Sequence, residues 1–395
     1  MFKTPNIRFK DFNKSWQENT IEQVVMTITG GGTPSTNNKS YWIGKIPWIQ
    51  SSDLKENEFF DVKIKNYISE EAIKNSATKV IKENSLAIVT RVGVGKLAYL
   101  PFKYCTSQDF ISLSDLLIDP YFLLYLISNK INSILILLQG TSIKGITKES
   151  FLSTSINYPK AIEEQQKIGN FISQIDNFIL LLSKKIDLLK KYKELMLSKM
   201  FPKDGCDVPD VRFKGFSEKW KKDKFSNFIE RRSEIDNNKF LPHIEYEDII
   251  SGEGCLNKDI FSKHSSKSGI KFVKNDILFG KLRPYLKNYL IADFSGIAVG
   301  DFWVLFSRNC STKFIYYLIQ TSTFQNVSNQ SVGTKMPRSD WKLVSNYKFY
   351  IPKDVDEQIK IELYLEKIDS IYLKFTNKLK IVKKIKYTLL SKMFI

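Results

Sequence analysis

The chain is 395 residues long, with 60 Lys and Arg against 42 Asp and Glu and a net charge of +18. The length allows two or three domains with sizeable buried cores. At 43% hydrophobic and 26% charged, the composition excludes a disordered basic tail, and the charge points to nucleic acid or another anionic surface as partner.

From Met1 to Phe12 no apolar run follows a basic one, so no signal peptide is expected. The most apolar stretch, Leu116 to Leu138, is interrupted by Asp119, Pro120, Asn129, Lys130 and Asn132 and is too broken to span a bilayer. It is predicted to be a buried helix, with Asp119 as N-cap and Pro120 in its first turn. Cys105, Cys206, Cys255 and Cys310 are scattered, and with His243 and His264 they make no zinc spacing. The expectation is reduced thiols, no metal site, no membrane association and a cytoplasmic location.

The chain is an internal repeat. Pro5, Arg8, Phe9, Lys10, Phe12 and Trp16 return as Pro209, Arg212, Phe213, Lys214, Phe216 and Trp220. Lys79, Lys82, Leu86, Arg91, Asp109, Phe110, Leu126 and Ile127 return as Lys271, Lys274, Leu278, Arg283, Asp301, Phe302, Leu318 and Ile319. Pro159, Gln165, Ile168, Asp176 and Ser198 to Phe201 return as Pro352, Gln358, Ile361, Asp369 and Ser391 to Phe394. The length difference falls between Trp16 and Lys79, where the first copy carries Gly30-Gly-Gly-Thr-Pro-Ser-Thr and Tyr41 to Trp48. The second copy is read as having no counterpart there. Common scaffolding with divergent contact surfaces would give this pattern.

After Pro159, apolar residues from Ile168 through Ile172, Ile175, Ile179, Leu182, Ile186 and Leu189 to Met196 recur at three- and four-residue steps. Ile361 through Leu365, Ile368, Tyr372, Phe375, Leu379 and Val382 to Leu389 repeat them. Each is a heptad seam, predicting two helices of roughly 40 residues and about 60 Å. Lys193 and Lys386 stand in the seams where apolar residues are expected. Acidic residues gather at the helix starts and basic ones at the ends, which suits the helix dipole. Two equal apolar stripes are expected to cover each other antiparallel. The likeness of Met1-Phe2-Lys3 to the Met200 to Lys203 junction makes the arrangement nearly circular.

Residues 159–201 and 352–395 carry +3 and +4 by count, so +11 of the +18 lies on the globular copies. In each copy a predicted strand runs into an aligned arginine, Arg91 or Arg283, followed by a turn containing Lys96 or Tyr285 and Lys287. Arg, Lys and Tyr are the residues that clamp phosphates and meet guanine edges. Lys281 precedes the second arginine. Asp109-Phe110 and Asp301-Phe302 read as scaffold, with Gln108 an adenine-contact candidate. In the first copy's longer loop, Thr33, Ser35 and Tyr41 are further candidates, whereas Trp48 reads as core. The repeated loops holding Thr141 and Lys144, and Thr334, Lys335 and Arg338, pair glycine amides with cations and suit phosphate oxygens.

Catalytic motifs are missing. Gly93-Val-Gly-Lys96 is too short for a phosphate-binding P-loop and lacks its hydroxyl, and Asn157-Tyr-Pro159 lacks the second proline of amino-methyltransferases. A coiled-coil scaffold whose basic modules bind RNA or acidic proteins remains an alternative; a complete nuclease or methyltransferase is disfavoured.

The repeat, the two heptad helices, and the strings Gly32-Thr-Pro-Ser35, Tyr41 to Trp48 and Asp276 to Pro284 together resemble the specificity subunit of type I restriction–modification enzymes. The resemblance covers essentially the whole chain. It implies an α+β protein with two tandem α/β target-recognition domains, at 1–158 and 205–351. Two long antiparallel helices, at 159–201 and 352–395, would serve as spacers. It further implies a non-catalytic subunit that reads one half of a bipartite double-stranded DNA site with each domain. Two methyltransferase subunits would bring S-adenosylmethionine, and two restriction subunits ATP- and Mg²⁺-dependent cleavage.

Overall fold

The computed structural model describes residues 4–137, 145–262, 265–330 and 336–395. They fall into two compact units, Met1–Lys184 with Asn377–Ile395, and Lys185–Thr376. This division cuts across the four segments expected from the sequence. Each unit holds one globular copy, the start of that copy's own long helix, and the end of the other copy's helix.

In the first unit, strands Val25–Gly30, Phe110–Leu116, Ser85–Val89 and Leu97–Leu100 form an antiparallel sheet in that order. In the second, Ile229–Arg231, Phe302–Ser307, Ile277–Gly280 and Tyr289–Ile291 repeat it. Every residue of Ser85–Val89 is buried, and the strand's alternation divides the load. Leu86 and Ile88 enter the main core with helix Pro120–Leu137, while Ala87 and Val89 enter a smaller cluster on the other face. As expected, Asp119 caps that helix, its Oδ1 accepting from the Phe122 amide at 2.9 Å.

The second copy does have a counterpart to part of the longer loop, which corrects the sequence reading. Trp48-Ile49 pairs in parallel with Cys105-Thr106, and His243-Ile244 with Ile297-Ala298. Each is followed by a capped turn, Gln50 to Asp53 and Glu245 to Asp248. Pro47, Ile49 and Asp53 thus return as Pro242, Ile244 and Asp248. The two ring nitrogens of His243 face the Leu241 and Lys267 carbonyls, so this histidine fastens backbone. Beyond this pair the first copy adds Asn66–Ile68, while the strand Gly269–Phe272 of the second is reduced in the first to the bridge between Ile81 and Tyr104.

The long helices are Ile162–Met200 and Val355–Met393. Within the first unit, Asp176 meets Lys386 while Met393 and Phe394 join the core beside Ile168 and Ile172, so the segments run antiparallel. Within the second, Lys193 meets Asp369 while Leu197, Met200 and Phe201 join the core beside Ile361 and Leu365. The seam lysines are explained by these pairs. The Lys386 ammonium sits 2.5 Å from Asp176, whose other oxygen accepts from the Tyr125 hydroxyl at 2.8 Å. Lys193, Asp369 and Tyr317 repeat the trio at 2.6 and 3.0 Å.

Each helix start is pinned identically. Arg8 forks onto both oxygens of Glu164 at 2.7 and 2.8 Å, and the Trp16 indole donates to the same carboxylate. Arg212, Glu357 and Trp220 repeat the cluster. Gln165 bridges Pro159 and Asp119, as Gln358 bridges Pro352 and Ser311. One exchange is compensated. A Cβ at Gly169 would lie 2.7 Å from the Phe122 amide, so the first long helix comes close to the capped helix and only glycine fits. The second copy has Glu362 at that position, and its carboxylate caps Phe314 at 3.1 Å in place of the aspartate. Among the described residues, no helix is long and apolar enough to cross a membrane.

Candidate nucleic-acid interface

The first copy presents two cavities that share Gln108 in their walls. One, about 530 Å³, is lined by Thr33, Thr36, Trp42, Gln50, Asn66 and Gln108, among others. The second, about 740 Å³, is lined by Gly30, Gly31, Arg91, Gln108 and Gly145 to Glu149 in part. Gln108 stands on the ridge between them. Arg91 follows strand Ser85–Val89 at an exposed hairpin tip, and among the described residues no carboxylate pairs with it. The Gly93 and Gly95 turn leads into strand Leu97–Leu100, so a hairpin replaces any phosphate loop opening a helix.

The glycine run has a steric reason. A Cβ on Gly31 would lie 1.9 Å from the Ser107 carbonyl, and one on Gly32 2.6 Å from Ala77. The Gly32 amide donates to Thr106, and the Ser107 amide to Ile49. These contacts set the backbone on which Gln108 stands. Thr33 donates its hydroxyl to Gln108 Oε1 at 2.6 Å. Lys96 is partly buried and donates to the Ser51 carbonyl at 3.1 Å, so it fastens the hairpin to the neighbouring turn. Ser35 is exposed, and its carbonyl accepts from the Trp42 indole. Tyr41 packs on the cluster of Trp48, Ile68, Ala72 and Cys105. Trp48 is buried, as expected, with its indole on the Gly32 carbonyl. Burial pushes the Cys105 thiol up to about 12, and all four cysteines are unpaired.

The second copy builds its tip from cations. Arg283 and Lys287 both take left-handed backbone, φ 49° and 54°, around the turn Pro284–Leu286. This projects Arg283, Tyr285 and Lys287 as exposed side chains. The Arg283 amide donates to Pro337, and Ser339 to Lys281, so the segment carrying Arg338 lies along the arginine strand. In the first copy Ile146 donates to Thr90 in the same way. Asp301 gathers Lys281 at 3.4 Å and Arg338 at 3.0 Å. Asp301 is therefore scaffold, and so is Tyr246, which bonds its carbonyl and the Leu282 amide. Thr141, Lys144, Thr334 and Lys335 lie outside the described residues. Sequence reasoning missed Thr36, Gln50 and Asn66; the repeat of Pro47, Ile49 and Asp53 was the signal that would have located the first wall.

A family model described as the type I restriction modification DNA specificity domain matches residues 13–191 and again 210–385. The chain belongs to that family. The type I restriction enzyme MjaIX specificity subunit of Methanocaldococcus jannaschii is 25% identical over 409 residues, covering 96% of this chain and 93% of that one. The EcoR124I/EcoR124II specificity subunit of Escherichia coli is 31% identical over 215 residues, about half of each chain. Among solved structures, the type I restriction–modification S subunit from M. genitalium covers 100% of this chain and 99% of its own, with TM-score 0.64 and 16% identity. That likeness shows the fold: two tandem specificity modules and their long helices. The two family matches fall one on each copy, so both cavities and the cationic tip lie within type I specificity modules.

Proposed function

We propose that the chain reads a two-part DNA sequence, one part with each globular copy, and that the long helices set the unread gap. The chain is the non-catalytic DNA-recognition subunit of a type I restriction–modification system and assembles with its other subunits. One observation carries the two-reader proposal. The same sheet order and the same arginine-bearing hairpin occur in both units, while the residues around each arginine differ in kind. Shared cations supply sequence-independent affinity for phosphates; divergent neighbours supply base discrimination. Joining two half-sites through one chain makes the second contact effectively intramolecular.

In this reading two methyltransferase subunits dock on the chain and hold S-adenosylmethionine, and two restriction subunits use ATP and Mg²⁺. The chain itself holds no cofactor. Arg91, Gln108 and Thr33 form the first contact surface; Arg283, Tyr285 and Lys287 form the second, with Lys281 and Arg338 braced behind them. Thr141, Lys144, Thr334 and Lys335 are assigned to phosphates. Lys96 and Tyr41 move from contact to support, while the exposed Ser35 stays a contact candidate.

Replacing 205–351 by the corresponding module of a relative is expected to change one half-site and leave the other intact. Adenine-methylation mapping in cells expressing the chain with its methyltransferase partner reads this directly, and altered recognition of both halves would sink the two-reader model. Arg283→Ala is expected to weaken duplex binding by the assembled complex and reduce the salt slope by about one. A titration at several salt concentrations measures both; unchanged binding removes Arg283 from the contact surface.

A further inference from the structure

We infer that Gln108, held by Thr33, recognises an adenine in the half-site read by the first copy, and that the second copy has no equivalent adenine reader. The inference rests on the two-reader proposal and names the base chemistry of one half.

Recognition of adenine in the major groove needs an acceptor for its N6 amino group and a donor to its N7, side by side. A glutamine amide offers both. The Gln108 carbonyl oxygen has two lone pairs, and Thr33 occupies one of them at 2.6 Å. That bond turns Oε1 toward Thr33 and so sets which side of the amide accepts and which donates. One lone pair of Oε1 and both N–H groups of Nε2 remain for a base edge. The support is rigid, because the Gly32 and Ser107 amides hold the neighbouring backbone and Gly31 packs where no Cβ fits. A reader on such support loses little freedom on binding.

The other amides of the cavity are less suited. Gln50 is half-buried where Gln108 is exposed, and its side chain accepts from the Asp53 amide of its own capped turn. Asn66 is shorter and half-buried on strand Asn66–Ile68. In the second copy, the position of Gln108 is taken by Gly300 at φ 101°. The position of Gln50 is taken by Glu245, bound to its own turn and to Lys267. The two tips therefore offer different chemistry: an oriented amide in the first, exposed guanidinium and ammonium groups in the second.

The test maps adenine methylation in cells expressing the full chain with its methyltransferase partner, for wild type, Gln108→Ala, Gln108→Glu and Asn66→Ala. The wild type must first give a split motif; without one the two-reader proposal fails before this inference is reached. Gln108→Ala is expected to relax one A·T position of the first half-site by roughly tenfold to hundredfold, leaving the second half unchanged. Gln108→Glu keeps the acceptor and loses the donor, so it should relax the same position. In duplexes bound by the purified complex, 7-deazaadenine at that position should weaken wild type and leave Gln108→Ala indifferent. An unchanged motif, relaxation at a G·C pair or in the second half, or the same relaxation from Asn66→Ala alone, would overturn the assignment. So would loss of all methylation in both Gln108 variants, which would make the residue scaffold.

Discussion

Asp176→Ala is expected to destabilise the first unit by about 3–5 kcal/mol, because it leaves Lys386 buried without its counter-charge. The Lys386 side chain is 9% exposed and that of Asp176 11%. The ammonium also lies over the rings of Phe59 and Tyr125, at 4.8 and 5.6 Å. Burial pushes the Asp176 carboxyl above its ordinary value, while Lys386 and the Tyr125 hydroxyl pull it back. Burial and the nearby carboxylate drive the Tyr125 hydroxyl strongly upward, so it remains a donor. The trio is satisfied only when complete. Replacing Asp176 by Leu and Lys386 by Met together should recover part of the loss: an apolar pair of similar size avoids the desolvation cost, while the buried Tyr125 hydroxyl is left without its acceptor. Hydrogen exchange on the full chain, resolved by unit, measures both variants. A loss below about 1 kcal/mol, or a double variant as unstable as the single, would show that the pair is not a buried network.

The scaffold was legible because its interactions preserve residue identity across the repeat. Arg8, Trp16 and Glu164 each have one chemically sensible partner set, so Arg212, Trp220 and Glu357 could not drift without leaving a buried charge. The seam lysines were visible as anomalies, but their partners were not, because each lysine pairs with an aspartate on the opposite helix. The exchange of helix ends between copies follows from the expected antiparallel packing, but the core residues that receive each end were hidden: periodicity reports which face is apolar, not what covers it.

The site was less legible. Arg91, Gln108 and Thr33 do line cavities or their ridge, because a shared hairpin and a glycine run place them. Lys96 and Tyr41 have the same residue chemistry as the proposed contacts, and only packing shows Lys96 bonded to the Ser51 carbonyl and Tyr41 set against the Trp48 cluster. The wall built by Gln50 was missed because only Pro47, Ile49 and Asp53 survive in the second copy, at a spacing that the surrounding insertion displaces. Backbone pairing preserves that wall, and pairing constrains sequence weakly where a strand is two residues long.

Phe394→Ala is expected to cost the first unit about 3–5 kcal/mol, although Phe394 is the penultimate residue of the chain. Terminal residues are ordinarily the most tolerant of change. Here the ring is 5% exposed and lies 5.3 Å from that of Phe122, in the core that also holds Trp16 and Ile168. The backbone is fixed as well, with the Ile7 amide donating to Lys392 at 3.0 Å. The mid-chain equivalents confirm that this is a designed joint: Phe201 stacks on Phe314 at 5.2 Å, and the Val211 amide donates to Lys199 at 2.9 Å. Phe201→Ala should therefore weaken the second unit as Phe394→Ala weakens the first. Hydrogen exchange resolved by unit reads the two effects separately. If Phe394→Ala changed nothing, or if both variants weakened the same unit, each copy would be closing its core with its own helix end, and the exchange of ends between the copies would be wrong.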